Sequence, residues 1–239
     1  MCIACQNFTL PRRSFLTLAA AGAATAANAA LSGRALAAGA TTTVTADEAL
    51  TRLKSGNDKF VGAPQLCAAD LAKQRGAIAK AQAPWATILG CADSRTPPEL
   101  LFGGVGLGEL FVARNAGNMA DTATMGTIEY GAAELGSPLI IVLGHQRCGA
   151  VAAACSVVEK HAKFPGSIGP MVAPIVPAAR AVHGKPGDFV DNAVRENARR
   201  TAAKIAKDSK IVAGLIKAKK VKVLAAYYDL DNGKVEYLS

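Results

Sequence analysis

Two short stretches of this chain hold the residue types that bind and use a metal. Cys91-Ala92-Asp93-Ser94-Arg95 offers a thiol, a carboxylate and a guanidinium, and His145-Gln146-Arg147-Cys148 adds an imidazole and a second thiol. Two thiolates and one imidazole suit a borderline divalent ion such as zinc. Three protein ligands leave a tetrahedral ion one open position, as in catalytic rather than structural sites. Asp93 would lie beside that ion, and Arg95 would hold it ionised and oriented, because a nearby cation favours the charged carboxylate. Either stretch alone would be a weak signal, since a lone cysteine is often only a small buried residue. Together they gain force from their setting, for each follows a strand-like apolar run, Trp85–Gly90 and Leu139–Gly144. The crevice beyond the carboxyl ends of parallel strands is where open α/β sheets bind ligands.

The elements that must position these ends can be read from pattern. Thr45 with Glu48 three positions on fits a capping box, and Leu50, Leu53 and Phe60 then recur at near-helical spacing. A second helix is expected around 67–79, strands at 85–90, 109–113 and 138–143, and helices near 97–102 and 121–136 between them. Alternation of this kind implies an α/β fold with a mainly parallel central sheet flanked by helices. The run 221–228 is strand-like again, and Asp231-Asn232-Gly233 marks a tight turn into 234–238, an antiparallel C-terminal hairpin. From Val151 the chain reads as helical, with 163–188, broken by Phe164-Pro165-Gly166 and by the glycines and proline of 183–187, expected to be an irregular loop.

At these residues the chain resembles the β-class carbonic anhydrases, and the likeness runs from about Leu50 to Leu238. Leu50 to Phe60 resembles the family's first core helix, Glu109 to Asn118 its central strand and following loop, Thr127-Ile128-Glu129-Tyr130-Gly131 the helix lining the pocket, and Ala226 to Val235 the closing hairpin. The resemblance implies zinc held by Cys91, His145 and Cys148, with water in the fourth place. That water, made acidic by the metal, would supply hydroxide for the reversible hydration of carbon dioxide to bicarbonate and a proton. Asp93 and Arg95 would be catalytic, and in this family the same aspartate can also swing onto the metal and close the site. Gln82 stands where plant-like members carry a substrate-binding glutamine that acts across a dimer interface. Phe111 and Tyr130 match pocket positions and fit plain core equally well. Gly149 follows the last ligand, where a missing side chain lets backbone approach the metal-bound group. Members with an allosteric bicarbonate site carry tryptophan three positions before the first ligand; Ile88 stands there, with Trp85 further upstream, which argues against that site. Arg114 reads as a structural or interface residue, and His161 and His183 as surface residues outside the motif. The implied assembly is a homodimer or a tetramer of dimers. Alternatives are hydrolysis of carbon disulfide or carbonyl sulfide on the same ligands, or a non-catalytic zinc or thiol-redox protein; the last is disfavoured because Cys91 and Cys148 lack C-x-x-C spacing.

The 239 residues suffice for one α/β domain with a real core, and with aromatics at only 5% that core must rest on Ala, Val, Leu and Ile. The formal charge of +9 is concentrated on helical segments near 195–222 without aromatic interleaving, which reads as a solvated face rather than a nucleic-acid surface. The first 37 residues read as an export signal. Pro11-Arg12-Arg13-Ser14-Phe15-Leu16 opens an Ala-rich stretch with no acid before Asp47, which resembles a twin-arginine leader, and Ala35-Leu36-Ala37 supplies a cleavage site, with Ala27-Asn28-Ala29 as second choice. An organelle transit peptide is the competing reading. The stretch is too interrupted for a stable membrane span. Cleavage would remove Arg12, Arg13 and Arg34, lowering the charge from +9 to +6, together with Cys2 and Cys5, and leave a single domain, 38–239, in a bacterial periplasm. Twin-arginine export carries folded proteins, so the metal could be bound first, protecting Cys91 and Cys148 from disulfide chemistry. The pairing of Cys67 and Cys155 stays open.

Overall fold

The computed structural model of the chain describes residues 41–63 and 71–239; the expected leader, its cleavage sites and Cys67 lie outside them. Helix α1 (Ala46–Gly62) is capped by Thr45, whose side-chain oxygen accepts the Glu48 N–H, so half of the capping box is made. The Glu48 carboxylate turns instead to Arg52 at 2.7 Å. After α2 (Leu71–Ile78) come β1 (Ala86–Cys91), α3 (Pro98–Leu101), β2 (Leu110–Asn115), α4 (Thr122–Ala133), β3 (Leu139–His145) and α5 (Gly149–Lys160). Then follow α6 (Ile168–Val172), a 3-10 turn (Ala173–Ile175), α7 (Val176–Val182), α8 (Phe189–Asp208), α9 (Lys210–Lys217), β4 (Lys222–Tyr228) and β5 (Val235–Leu238).

The sheet runs β2-β1-β3-β4-β5, parallel except for the final antiparallel pair. Strands β1 and β3 are buried along their whole length, as continuous apolar runs in a parallel sheet should be. Alternate side chains feed two cores. Leu89, Ile140 and Val142 pack under α4, α5, α7 and α8, while Ile88, Leu139, Ile141 and Leu143 pack against α1 and α3. The second face has the thinner cover, and it depends on close approach: a Cβ on Gly56 of α1 would lie 2.1 Å from the Phe102 carbonyl oxygen. No helix among the described residues is long and apolar enough to cross a membrane.

Two expectations need correction. The run from Glu109, expected as a central strand, is the edge strand β2; it is only half-buried and carries the exposed Arg114, whereas β1 and β3 hold the centre. The segment 163–188, expected as irregular, folds largely into α6, the 3-10 turn and α7. Its prolines Pro174 and Pro177 sit in the first turns of their elements, where a missing N–H costs nothing, and the apolar residues around them (Val172, Ile175, Val176, Ala179 and Val182) are buried against the sheet's helices.

Candidate metal centre

Cys91 is the last residue of β1 and His145 the last of the neighbouring β3, so parallel pairing delivers a thiol and an imidazole to the same edge of the sheet. Cys148 is the N-cap of α5, and its side chain makes no capping hydrogen bond, which leaves the thiol for the site. All three are buried, and their donor atoms lie within 4.8 Å of one another. The two sulfurs are 3.9 Å apart, far from a disulfide. Tetrahedral coordination at zinc–sulfur distances implies sulfurs about 3.8 Å apart, so the pair is spaced for such an ion.

The imidazole is prepared in the same sense. His145 Nδ1 lies 2.9 Å from the Gln146 carbonyl, an acceptor only, so Nδ1 carries the proton and Nε2 keeps its lone pair. Nε2 is buried with no hydrogen-bond partner among the described residues. A buried acceptor left unpaired costs about 1–3 kcal/mol, and a cation between the sulfurs would satisfy it. The thiols make the same demand. Cys91 is drawn well below the usual thiol range chiefly by the hydrogen bond from Cys148, with the Gly117 N–H at 3.4 Å adding to it, against burial. Cys148 is pushed up by its bond to Cys91 and by burial. Without a cation the pair accepts one negative charge and resists the second; a dication supports both.

Asp93 stands over this group, Oδ2 3.8 Å from His145 Nε2. Arg95 clasps both its oxygens, Nε to Oδ1 at 2.9 Å and Nη2 to Oδ2 at 2.7 Å, and the Arg95 backbone N–H adds a third bond to Oδ1 at 3.0 Å. The guanidinium holds the carboxyl well below the usual carboxylate range. In this arrangement Asp93 bonds to Arg95 and not to the three-residue cluster. Arg114, on the edge strand, donates from Nε to the Cys91 carbonyl at 2.8 Å and from Nη2 to the Asp93 carbonyl, so it braces the backbone of the turn.

Further supports are long-range and have no local sequence signal. Arg147, between the two ligands of the second stretch, has a left-handed backbone (φ 53°), and its side chain and that of Gln146 both bond to Asp231 in the β4–β5 turn. Gln146 also accepts the Leu230 N–H. The buried Asn197 of α8 donates to the Gly117 carbonyl at 2.9 Å and so fixes the loop whose N–H bonds Cys91. Gly117 is required there: its φ is +85°, and a Cβ would lie 2.5 Å from Ile175 Cδ1.

Of the other residues singled out, Gly149 is exposed at the first position of α5, and a Cβ there would meet nothing within 4 Å, so the space beside Cys148 is open. Phe111 and Tyr130 face each other with ring centroids 6.0 Å apart. They do not reach the cluster of their own chain, because Phe111 lies opposite Thr87, four residues or about 13 Å before Cys91. Gln82 precedes even the start of β1. His161 caps the far end of α5, and His183 packs edge-on against Phe189; both are exposed. Cys155 is buried in α5 as a free thiol, pushed up to about 11 chiefly by burial.

Fold and site together define an α/β protein with a buried Cys-His-Cys group, at the carboxyl ends of its strands, that could hold a metal ion. The carbonic anhydrase family model matches residues 86–235, which contain every ligand. Over 187 residues, 78% of this chain and 90% of the relative, the chain is 34% identical to a carbonic anhydrase of Mycolicibacterium smegmatis. It is equally 34% identical over 182 residues to carbonic anhydrase 2 of Mycobacterium tuberculosis, covering 76% of this chain and 87% of that one. Among solved structures, the β-carbonic anhydrase of Coccomyxa in complex with acetazolamide superposes with a TM-score of 0.61 at 28% identity, over 70% of this chain and 77% of that chain. A tetrameric β-carbonic anhydrase of Sordaria macrospora shares the fold, with a TM-score of 0.62 at 24% identity over 70% and 89%. The chain belongs to the β-class carbonic anhydrase family.

Proposed function

We propose that this protein catalyses the reversible hydration of carbon dioxide to bicarbonate, with zinc held by Cys91, His145 and Cys148. One observation carries the reading: a buried dithiol–imidazole cluster with an ionised, doubly clasped carboxylate 3.8 Å from the imidazole nitrogen. Zinc bound there would acidify a water at its fourth position and so supply a nucleophile near neutral pH. Asp93, which stays ionised, accepts the nucleophile's hydrogen bond and turns its lone pair toward the substrate. Arg95 fixes the direction of that carboxylate, and Arg114 fixes the turn beneath it. The open space at Gly149 gives carbon dioxide room beside Cys148. Replacing Cys148 with serine removes a ligand, and metal content and hydration activity should fall together; stoichiometric zinc with full activity in that variant would remove the assignment.

The active form in this reading is a homodimer or a tetramer of dimers. Its support is that Phe111 lies about 13 Å along the sheet from its own chain's cluster, and that Gln82, Phe111 and Tyr130 match family positions where a neighbouring subunit helps shape the pocket. A stable, fully active monomer in sedimentation would contradict it. The paired Arg12-Arg13, the acid-free Ala-rich stretch and Ala35-Leu36-Ala37 support export of the folded protein to a bacterial periplasm, with residues 38–239 as the mature domain. Arg12→Lys/Arg13→Lys should leave the protein in the cytoplasm, and a variant exported as before would exclude the twin-arginine route.

A further inference from the structure

Between residues 204 and 222 the chain carries seven lysines and a single acid, Asp208. The fold gathers them at one corner, where α8 ends, α9 crosses and β4 begins. In α9, Val212 is buried while Lys210, Ile211, Gly214 and Lys217 face solvent, Ile211 at 45% exposure. Lys219 and Lys220 follow, both exposed, and Lys222 opens β4. The carboxylates that reach this corner are already engaged. Asp208 pairs with Lys204 at 2.8 Å, Asp47 with Lys222, and Glu129 accepts from Ser209 at 2.6 Å. Lys207, Lys210, Lys217, Lys219 and Lys220 have no ion-pair partner among the described residues.

Two grooves of mixed lining flank Lys219. One, of about 670 Å³, sets Ile216, Val223 and Leu224 beside Lys219 and Lys222. The other, of about 450 Å³, sets Val44 and Leu215 beside Lys219 and Lys220. The segment 204–222 contains no aromatic residue and no arginine, so it lacks the stacking platforms of single-strand binders and the bidentate forks that read phosphodiesters. Unneutralised lysines around clefts that carry partly exposed aliphatic side chains match a surface that presents phosphate outside and hydrocarbon just beneath.

We propose that this corner is a docking surface for an anionic lipid membrane, with the lysines on the headgroups and Ile211 and the two grooves against the glycerol and upper acyl region. The placement leaves the metal centre clear. Lys222 is in register with Leu139, and Tyr228 with His145, so the centre lies at the opposite end of the strands, six residues or about 20 Å away.

The test is sedimentation of the metal-loaded protein with vesicles of phosphatidylglycerol and phosphatidylcholine, against phosphatidylcholine alone. Binding should need the anionic lipid and be released by high salt, since exposed charges are screened over about 10 Å at 0.1 M. Each lysine at an anionic surface strengthens attachment about fivefold, so Lys210→Gln/Lys217→Gln/Lys219→Gln/Lys220→Gln should weaken it by roughly a hundredfold or more. The change should leave metal content and the circular dichroism spectrum unchanged. Lys160→Gln/Lys163→Gln/Lys185→Gln, which removes exposed lysines elsewhere, should bind as before. If the quadruple variant does not fold, Lys217→Gln/Lys220→Gln carries the comparison at roughly a twenty-fivefold loss. Equal binding to neutral vesicles, unchanged binding in the lysine variants, or complete displacement of the vesicles by an RNA homopolymer at matched charge would overturn the proposal.

Discussion

Asp231 grips Arg147 with both carboxylate oxygens, at 2.7 and 3.0 Å, and so ties the β4–β5 turn to the loop between His145 and Cys148. The pair is more than half exposed on both sides, so solvent screening leaves it little contribution to global stability. Its consequence is local. Arg147 keeps a left-handed backbone between His145 and Cys148, and such a conformation persists only where the surroundings over-determine it. Asp231→Ala should leave the melting temperature nearly unchanged yet weaken metal binding by about 10–100-fold, the scale seen when outer supports of a metal site are lost. Chelator competition measures this, and an unchanged affinity would make the ion pair incidental.

Asp93→Asn and Arg95→Ala should retain metal and lower turnover by roughly 10²–10⁴-fold, the usual contribution of a positioned proton acceptor. Because the Asp93 carboxyl is held low in the folded protein, its ion pair stabilises the fold above the ordinary carboxylate pKa and is lost only as pH falls through the lower folded value. Arg95→Ala should move that loss up toward pH about 4. Carbon-13 NMR titration of Asp93 reads the shift directly, and the same midpoint in both proteins would show that Arg95 does not set the carboxylate's state.

The Cys91, His145 and Cys148 cluster was legible because Cys91 and His145 end adjacent apolar strands and Cys148 follows three residues later, a pattern that sequence displays. The supports were not. Asp231 and Asn197 act on Arg147 and Gly117 from distant points in the chain, and nothing in their neighbours marks them; for Arg114 the sequence indicates a structural or interface residue but not its bonds to the Cys91 turn. Edge and centre could not be told apart either: Leu110-Phe111-Val112-Ala113 is as apolar as a central strand, and only the sheet order shows that one side of it is unpaired. In 163–188, proline and glycine pattern as breakers, although proline in a first helical turn starts a helix.

Gly117 tests one of those supports. Gly117→Ala forces a Cβ into contact with Ile175 at a left-handed backbone position, which should cost about 1–3 kcal/mol. Urea unfolding should show the loss, together with weaker metal retention as the N–H to Cys91 shifts. Wild-type stability would mean the loop relaxes freely.

The placement of Gln82 predicts complementation between subunits. Gln82→Ala keeps the metal ligands, and Cys148→Ser keeps the glutamine, so each homo-oligomer should be slow or inactive. Co-expressed mixed oligomers should regain a working site built from the metal of one chain and Gln82 of its partner. Activity no greater than the sum of the two variants would place Gln82 outside the pocket.

The most direct test of the whole account is stopped-flow hydration of carbon dioxide by purified protein of known zinc content, with carbonyl sulfide hydrolysis measured in parallel. Rates should rise in proportion to zinc up to one ion per chain, with carbon dioxide much the better substrate. Protein carrying one zinc per chain that does not hydrate carbon dioxide, or that turns over carbonyl sulfide faster, would contradict it.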